Sequence, residues 1–482
     1  MASRSPQPVL AMTIGALLGA VALGALTLYA HDRATPAPVA APPVTVPAAQ
    51  PAALATPLLS VRRSPIVLAQ DRRADLLIAA AAPLATSVDG SSCLSLGLDD
   101  RELVARNSDV AVIPASNLKI VVAAVALDVL GPDHVFTTSV VGAAPVNGVV
   151  EGDVYLLGGG DPVLSEQWYT QPSGSRKRPP THATSVEALA DAMATAGVTQ
   201  ITGQVLGDDS RYDAERYPPG WANDVRVSFD GGAVGALVIN DSRSTNDSQS
   251  DQPAAKAAQT FAGLLTTRGI AVGGSATGTA PTGLGVLASV QSAPLTELLN
   301  ELLATSDNLT AEMMVKEIGV AVSQSGTREA GLQAMLDRLN TWGVATAGLV
   351  FTDGSGLSHD NRLTCTALAG VLRRGSAADG VGAALAIAGQ DGSTLADSFE
   401  QDGLVGVLQG KTGTLHNPNE VKSLSGYFVT APDEIEFVLL LNGPAATEYA
   451  TAWDQLAAAL LATAAGPQPE TLAPLPWTVG DP

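Results

Sequence analysis

The chain has 482 residues, with 46% apolar and 4% aromatic side chains, which is enough for two or three domains with sizeable cores. Its formal net charge of -21 argues against a nucleic-acid partner, because few basic side chains are available to neutralise a phosphate backbone. The five histidines are scattered and no His-Glu-x-x-His or Cys-x-x-Cys pattern occurs, so the sequence supports no metal mechanism.

The chain begins with a long uncharged stretch. Residues 9–30 carry no charged side chain, a length that spans a bilayer and exceeds the apolar part of a typical signal peptide. Tyr29 is large where a cleavage site needs a small residue, so we expect a membrane anchor, with a cleaved signal as the alternative. We then expect residues 1–8 in the cytoplasm and a Pro- and Ala-rich tether over 31–60. The folded part would lie on the outer face of the cell membrane, or be secreted if the signal is cleaved.

Two short strands, 92–98 and 102–107, are predicted next. Cys93 lies in the first of them, and the other cysteine of the chain is Cys365. In an exported chain such a pair is more often a disulfide than two free thiols, although two reduced core cysteines stay an alternative. We expect the disulfide, because both cysteines lie in segments that we assign to one domain.

The most informative stretch holds Ser116 and Lys119, followed by the apolar run 120–130 and by Gly131-Pro132. This pattern predicts a buried helix whose first turn carries both polar residues. Residues three apart share a helix face, so the hydroxyl and the amine can meet. In apolar surroundings the pKa of the amine falls, and a neutral lysine can take the serine proton. An isolated pattern of this kind is more often a polar first turn, so the assignment needs partner motifs.

The middle of the chain alternates short β-prone runs with helices from about residue 136 onward. Its polar loop 173–180 is interpreted as a solvated linker. After a helix at 295–303, the last part contains a β-hairpin, 423–430 and 435–441, and an Ala-rich helix over 447–462. This order predicts one mixed sheet that is assembled from both ends of the chain and flanked by helices.

Two further motifs follow the Ser116 helix in the sequence: Ser306-Asp307-Asn308 and Lys411-Thr412-Gly413-Thr414. Each is weak alone, since the first is an ordinary helix cap and the second an ordinary strand end. Together, and in this order, the three motifs are typical of serine penicillin-recognising enzymes.

The chain resembles the low-molecular-mass penicillin-binding proteins of the D-alanyl-D-alanine carboxypeptidase/endopeptidase family, the penicillin-binding protein 4 type. The resemblance covers residues 60 to 465 and rests on the three motifs and on further stretches: Leu156–Pro162, Asp208–Asp213, Tyr217–Trp221, Ala236–Asp241, Asp353–Ser358 and Ser425–Phe428. It implies a mixed α/β fold in which an antiparallel sheet is flanked by helices, and a mechanism that needs no cofactor.

The gap between Ser116 and Ser306 is far longer than the gap between the same motifs in a β-lactamase, which predicts one inserted α/β domain. We expect a main domain in two parts, 61–140 and 285–466. The insert between them would span 141–284, and a C-terminal tail would span 467–482.

The resemblance also implies roles for single residues. Ser116 would attack the carbonyl between two D-alanines, with Lys119 as its base. Ser306 would relay a proton to the leaving amine, and Asn308 would bind the substrate peptide. Further roles concern the last motif: Lys411 would supply positive charge, Thr412 and Thr414 would hold the substrate carboxylate, and Gly413 would permit its close approach.

Two positions have less certain roles. In the family this aspartate lines a pocket for a side-chain amine of the substrate, so we expect Asp208 to help recognise that amine, with turn capping as the alternative. His359 stands where the family often has arginine, so it is either a binding residue or an exposed polar one.

The sequence therefore predicts a DD-carboxypeptidase or DD-endopeptidase that acts on peptidoglycan stem peptides and is inhibited by β-lactams. One alternative is a β-lactamase, although no separate carboxylate is identified for activating the water. The other is a penicillin-binding sensor without turnover, which intact Ser306, Asn308 and Lys411 disfavour.

Overall fold

The main sheet combines strands from both ends of the folded part. The computed structural model describes residues 20–28, 64–173, 178–221, 231–430 and 433–472. The strands of the main sheet are β1 Cys93–Leu98, β2 Arg101–Arg106, β13 Ala386–Ile387, β14 Leu408–Leu415, β15 Val421–Val429 and β16 Glu434–Asn442. Their spatial order is β13-β14-β15-β16-β1-β2, and every neighbouring pair is antiparallel.

Both faces of this sheet are covered by helices. Successive side chains of a strand point to opposite faces, and in β16 they enter two different cores. Phe437 and Leu439 pack on one face, and Val438 and Leu440 on the other. The described helices are α1 20–28, α2 Ser64–Ser87, α3 Leu118–Leu130, α4 Val186–Thr195, α5 Pro253–Thr267, α6 Leu295–Thr305, α7 Asn308–Ser323, α8 Arg328–Thr341, α9 Cys365–Leu372, α10 Pro444–Thr447 and α11 Tyr449–Ala464. Helices α2 and α11 share a core with the first face, and α3, α6, α7, α8 and α9 with the second.

A second group of strands lies between β2 and β13 in the sequence. They are β3 Thr137–Gly142, β4 Val149–Val150, β5 Val154–Leu157, β6 Leu164–Ser165, β7 Thr184–Ser185, β8 Gln200–Ile201, β9 Val205–Asp208, β10 Ala271–Val272, β11 Ser275–Thr277 and β12 Gly285–Gln291. A mixed sheet has the order β11-β9-β5-β3-β12, and a parallel one the order β10-β8-β4. Helices α4 and α5 pack on them in a separate core. The expected insert, 141–284, begins inside β3 and ends just before β12. Its bounds stay a prediction.

The predicted mixed α/β class, with an antiparallel sheet flanked by helices, is confirmed. The prediction for Ser116 differs in detail, because a 3-10 turn, Ala115–Asn117, precedes α3 and contains the serine. Ala115 has a positive φ of 48°, a conformation that an α-helix does not allow. Helix α3 ends at Gly131, whose φ is 89°.

The predicted anchor falls largely outside the described residues. Within 9–30, the structure describes a helix over 20–28, and the tip at 1–8 and the tether at 31–60 are not described. In the part of the chain that is described, no helix combines the length and the apolar character needed to cross a membrane.

A disulfide joins Cys93, at the start of β1, to Cys365, at the start of α9. The two Cα atoms are 5.9 Å apart, both side chains are fully buried, and 272 residues separate them in the sequence. The bond therefore fastens α9 to the sheet across more than half of the chain.

We expect the loss of this bond to lower the free energy of unfolding by about 2–5 kcal/mol, because it closes a long loop in the unfolded chain. Denaturant titration of the double variant Cys93→Ala, Cys365→Ala measures the effect. The wild-type chain in reducing buffer is the control, since it loses the bond but keeps both side chains. Equal unfolding midpoints in oxidising and reducing buffer would show that the bond adds no stability.

Candidate active site

The turn that carries Ser116 is fastened to the main sheet by one buried amide. Asn117 is fully buried, and its Nδ2 donates to the carbonyl oxygen of Lys411 at 2.9 Å and to Ser423 Oγ at 2.7 Å. Ser423 Oγ in turn donates to the carbonyl oxygen of Pro114 at 2.9 Å. These bonds place Ser116 against β14, the strand that carries the third motif.

Glycines allow the backbone segments to come this close. A Cβ atom on Gly413 would clash with Ser423 Oγ and lie 2.9 Å from the backbone nitrogen of Ser116. Gly356 has a φ of 82°, and a Cβ atom there would clash with the carbonyl of Ala115. The N–H group of Ser116 therefore lies beside β14, where a group bound along the strand can reach it.

Lys119 is fully buried, and its hydrogen-bond partners include three oxygens. Its Nζ is 3.0 Å from Ser116 Oγ, 2.6 Å from Asn308 Oδ1 and 2.5 Å from the carbonyl oxygen of Ser355. The last two are oxygens that only accept hydrogen bonds, whereas a hydroxyl can also donate. A neutral amine that donates to both carbonyl oxygens has its lone pair left for the proton of Ser116. This is the geometry of a nucleophile and its base.

Ser306 and Asn308 come from the tight connection between two helices. Ser306 follows α6 in the left-handed conformation, with a φ of 68°, and Asn308 begins α7. Asp307 between them caps α7, because its Oδ1 accepts the N–H of Thr310 at 2.6 Å. The middle residue of the motif is thus structural, and the two outer residues face the site.

Lys411 is fully buried on β14, and its Nζ donates to the carbonyl oxygen of Thr412 at 2.8 Å. Burial is the main reason that the pKa of Lys411 lies well below its ordinary value, and the charges of Lys119 and Arg178 lower it further. On the next strand, Lys422 Nζ donates to Thr414 Oγ1 at 3.1 Å, which leaves the hydroxyl hydrogen of Thr414 to donate elsewhere.

A cavity of about 750 Å³ brings the three motifs together. Its lining includes Ser116, Ser306, Asn308, Thr412, Gly413 and Thr414. Arg178 and His359 also line it, and none of the described lining residues is acidic although the chain carries a net charge of -21. The cavity therefore favours a ligand with an anionic group.

The two residues with less certain roles differ in position. His359 lines the cavity, and its Nε2 lies 3.3 Å from the carbonyl oxygen of His416. Asp208 is outside the cavity lining: its Oδ1 accepts the N–H of Ser210 at 2.9 Å and its Oδ2 that of Ala280 at 2.7 Å. Both carboxylate oxygens thus bind backbone amides, as in the turn-capping alternative, and the predicted contact with a substrate amine has no support from this geometry.

Sequence reasoning missed several residues at the site. Arg178 belongs to the loop interpreted as a solvated linker, and the run of basic residues at 176–178 was its one signal. Ser355 and Trp221 lie in stretches that carry the family resemblance, but no role is predicted for either residue. Ser355 acts through its backbone carbonyl, which any residue type would provide, so no pattern of side chains could identify it.

Comparison with known proteins identifies the family. The profile of the D-Ala-D-Ala carboxypeptidase 3 (S13) family matches residues 91–247 and 233–463, which is most of the chain. The chain belongs to this family. The resemblance predicted from the motifs is thereby confirmed, and the S13 chain is a serine-type peptidase of the penicillin-binding protein 4 kind.

Two relatives and one solved structure illustrate the similarity. A D-alanyl-D-alanine carboxypeptidase from an Actinomadura species is 30% identical over 77% of this chain and 80% of the relative. A carboxypeptidase from Mycobacterium tuberculosis is 31% identical over 75% of this chain and 78% of the relative. The crystal structure of penicillin binding protein 4 from Haemophilus influenzae superposes with a TM-score of 0.63 at 19% identity, covering 75% of this chain and 93% of that one, and supports the fold.

Proposed function

We propose that this S13 protein cleaves peptidoglycan stem peptides after a D-alanine through an acyl-enzyme on Ser116. The observation that carries the proposal is the 3.0 Å contact between Lys119 Nζ and Ser116 Oγ at the base of a cavity that all three motifs line. Family membership supplies the substrate class, a peptide ending in D-Ala-D-Ala.

Acylation begins at Ser116 Oγ, which attacks the carbonyl carbon of the scissile bond while Lys119 Nζ takes its proton. The backbone N–H groups of Ser116 and Thr414 bind the oxyanion, a donor of this kind being worth about 3 kcal/mol. The C–N bond then breaks, and the proton on Lys119 Nζ passes through the Ser306 hydroxyl to the leaving amine, which returns Lys119 to its neutral form. Water hydrolyses the ester with Lys119 again as the base, which frees Ser116.

The substrate is held along β14 by groups that suit its charge. Thr412 and Thr414 donate to the terminal carboxylate, with Lys411 beneath them and Lys422 beside Thr414. Asn308 binds the peptide backbone. A β-lactam carries a carboxylate and a reactive carbonyl in a similar arrangement, so we expect the same residues to bind it and Ser116 to be acylated.

The location of the protein is also a proposal. The uncharged stretch at 9–30 and the tether after it support an enzyme held on the outer face of the cell membrane, where its substrate lies. Fractionation of cells and mass analysis of the mature N-terminus test this, and a cleaved N-terminus would mean a secreted enzyme instead.

Product analysis tests the proposed activity. The purified protein is incubated with a peptide ending in D-Ala-D-Ala, with cross-linked muropeptides and with penicillin. Released D-alanine indicates a carboxypeptidase and resolved cross-links an endopeptidase. Rapid penicillin hydrolysis without peptide cleavage would mean a β-lactamase, and a stable adduct without peptide cleavage would mean a sensor.

We expect Arg178→Gln to lower kcat/KM about tenfold for peptides with a free terminal carboxylate, because a charge-assisted contact is lost from the cavity. The effect should appear mainly in KM and shrink at high salt. For a peptide with an amidated C-terminus, kcat/KM should change little. Arg72→Gln, on the exposed surface of α2, is the matched control. Equal losses on both peptides would show that Arg178 does not bind the carboxylate.

A further inference from the structure

Two buried carboxyl groups bind the backbone segment that contacts Lys119, and neither has a part in the mechanism above. Glu312 is 2% exposed and Asp353 is fully buried, and neither lines the cavity. Glu312 follows Asn308 by one turn of α7, so the two side chains lie on the same face of the helix.

Glu312 holds the peptide segment that binds the base. Its Oε1 accepts the N–H of Ser355 at 2.7 Å and the N–H of Gly354 at 3.0 Å. The carbonyl oxygen of the same Ser355 accepts a hydrogen bond from Lys119 Nζ at 2.5 Å. A single residue of backbone therefore connects the Glu312 carboxylate to the catalytic amine.

Asp353 fixes the other side of the same turn. Its Oδ1 accepts the N–H of Gly356 at 2.9 Å, and its Oδ2 accepts the N–H of Ser358 at 2.7 Å and Trp221 Nε1 at 3.0 Å. Two carboxyl groups thus bind four backbone amides over five residues, 354–358.

This arrangement is unfavourable for the carboxyl groups themselves. Burial, and then the nearby charge of Asp353, raise the pKa of the Glu312 carboxyl to about 7. Buried ionisable groups are costly, and they concentrate at functional sites. The position of Glu312 therefore calls for a role that a well-packed apolar side chain could not fill.

We propose that Glu312 is a positioning residue for Lys119, acting through the Ser355 peptide to aim the lysine lone pair at the Ser116 hydroxyl. This inference rests on the proposed function. Helix α7 then orients the base twice: directly through Asn308 Oδ1, and indirectly through Glu312 and the Ser355 carbonyl. With both carbonyl oxygens in place, the two hydrogens of a neutral amine are engaged and its lone pair points at Ser116. Without Glu312 the Ser355 carbonyl can turn away, and the amine can rotate.

Stopped-flow acylation by penicillin separates non-covalent binding from the acylation step. We expect Glu312→Ala to slow the acylation rate constant about 100-fold, as a misplaced catalytic group does, with little change in the non-covalent dissociation constant. Glu312→Gln keeps an oxygen that can accept both amides, so we expect it to stay near the wild-type rate.

Glu317→Ala is the matched control. Glu317 is also a fully buried carboxylate on α7, but it pairs with Arg211 and not with the 354–358 backbone. It should lose stability without slowing acylation. If Glu312→Ala and Glu317→Ala slow acylation equally, in proportion to their loss of melting temperature, the role of Glu312 is only structural and the proposal is wrong.

If Glu312→Ala does not fold, the acylation rates of Glu312→Asp and Glu312→Gln test the proposal. Asp keeps the charge but is too short to reach both amides, so slow Asp and fast Gln variants support positioning. A slow Gln variant beside a fast Asp variant would mean that charge matters instead, and would overturn the proposal. Wild-type protein that is not acylated at all would contradict the proposed function, a result distinct from either.

Discussion

Ser116→Ala is expected to abolish the covalent penicillin adduct that the wild-type protein forms. Ser116 Oγ lies within hydrogen-bond distance of Lys119 Nζ, and Ser116 lines the cavity. Alanine removes the nucleophile without disturbing Asn117, whose amide fastens the turn to β14. Peptide cleavage should fall by at least about 10⁴-fold, as when the nucleophile of another serine hydrolase is removed.

Intact-mass measurement after incubation with penicillin shows the result directly. The wild-type protein should gain the mass of one penicillin, and Ser116→Ala should gain none. Ser91→Ala, at an exposed serine, is the control and should be acylated like the wild type. An adduct that survives Ser116→Ala would place the nucleophile elsewhere and refute the assignment.

The residues that the structure brings together at the cavity could be predicted from the sequence, and the groups that hold them in place could not. Ser116, Lys119, Ser306, Asn308 and the third motif belong to patterns whose residue types are set by the reaction, so they could be read from the sequence. The supports are backbone groups and buried amides: the Ser355 carbonyl and the Asn117 side chain work through distant segments. Such contacts depend on the folded arrangement and leave no pattern of spacing.

Some elements of the fold could also be predicted from the sequence, and others could not. The strands of two hairpins of the main sheet were predicted close to their observed bounds. β1, β15 and β16 are mostly apolar and buried on both faces, which gives them a clear composition, whereas β2 is largely exposed. The loop 173–180 is interpreted from the sequence as a solvated linker, because its polar residues are typical of an exposed loop. In the structure, however, Arg178 of this loop lines the cavity. The carboxylate oxygens of Asp208 accept backbone amides, as in the turn-capping alternative, and its contact with a substrate amine stays a prediction.

Lys119→Met should lower the rate constant of acylation by at least about 10⁴-fold, which corresponds to about 5.5 kcal/mol of transition-state stabilisation. Methionine has a similar length and packs well in a buried position, but it cannot take the proton of Ser116. Lys411 is no substitute, because its Nζ donates to the carbonyl oxygen of Thr412.

Stopped-flow acylation by penicillin measures the change, and the non-covalent dissociation constant should stay near the wild-type value because the Lys119 amine does not line the cavity. Lys256→Met, on α5 and remote in sequence from the three motifs, is the matched control for replacing a lysine by methionine. A Lys119→Met protein that acylates within tenfold of the wild-type rate would show that another group deprotonates Ser116. A slow Lys119→Met variant beside an unchanged control leaves Lys119 as the base, since the 3.0 Å contact to Ser116 Oγ is then the interaction that was lost.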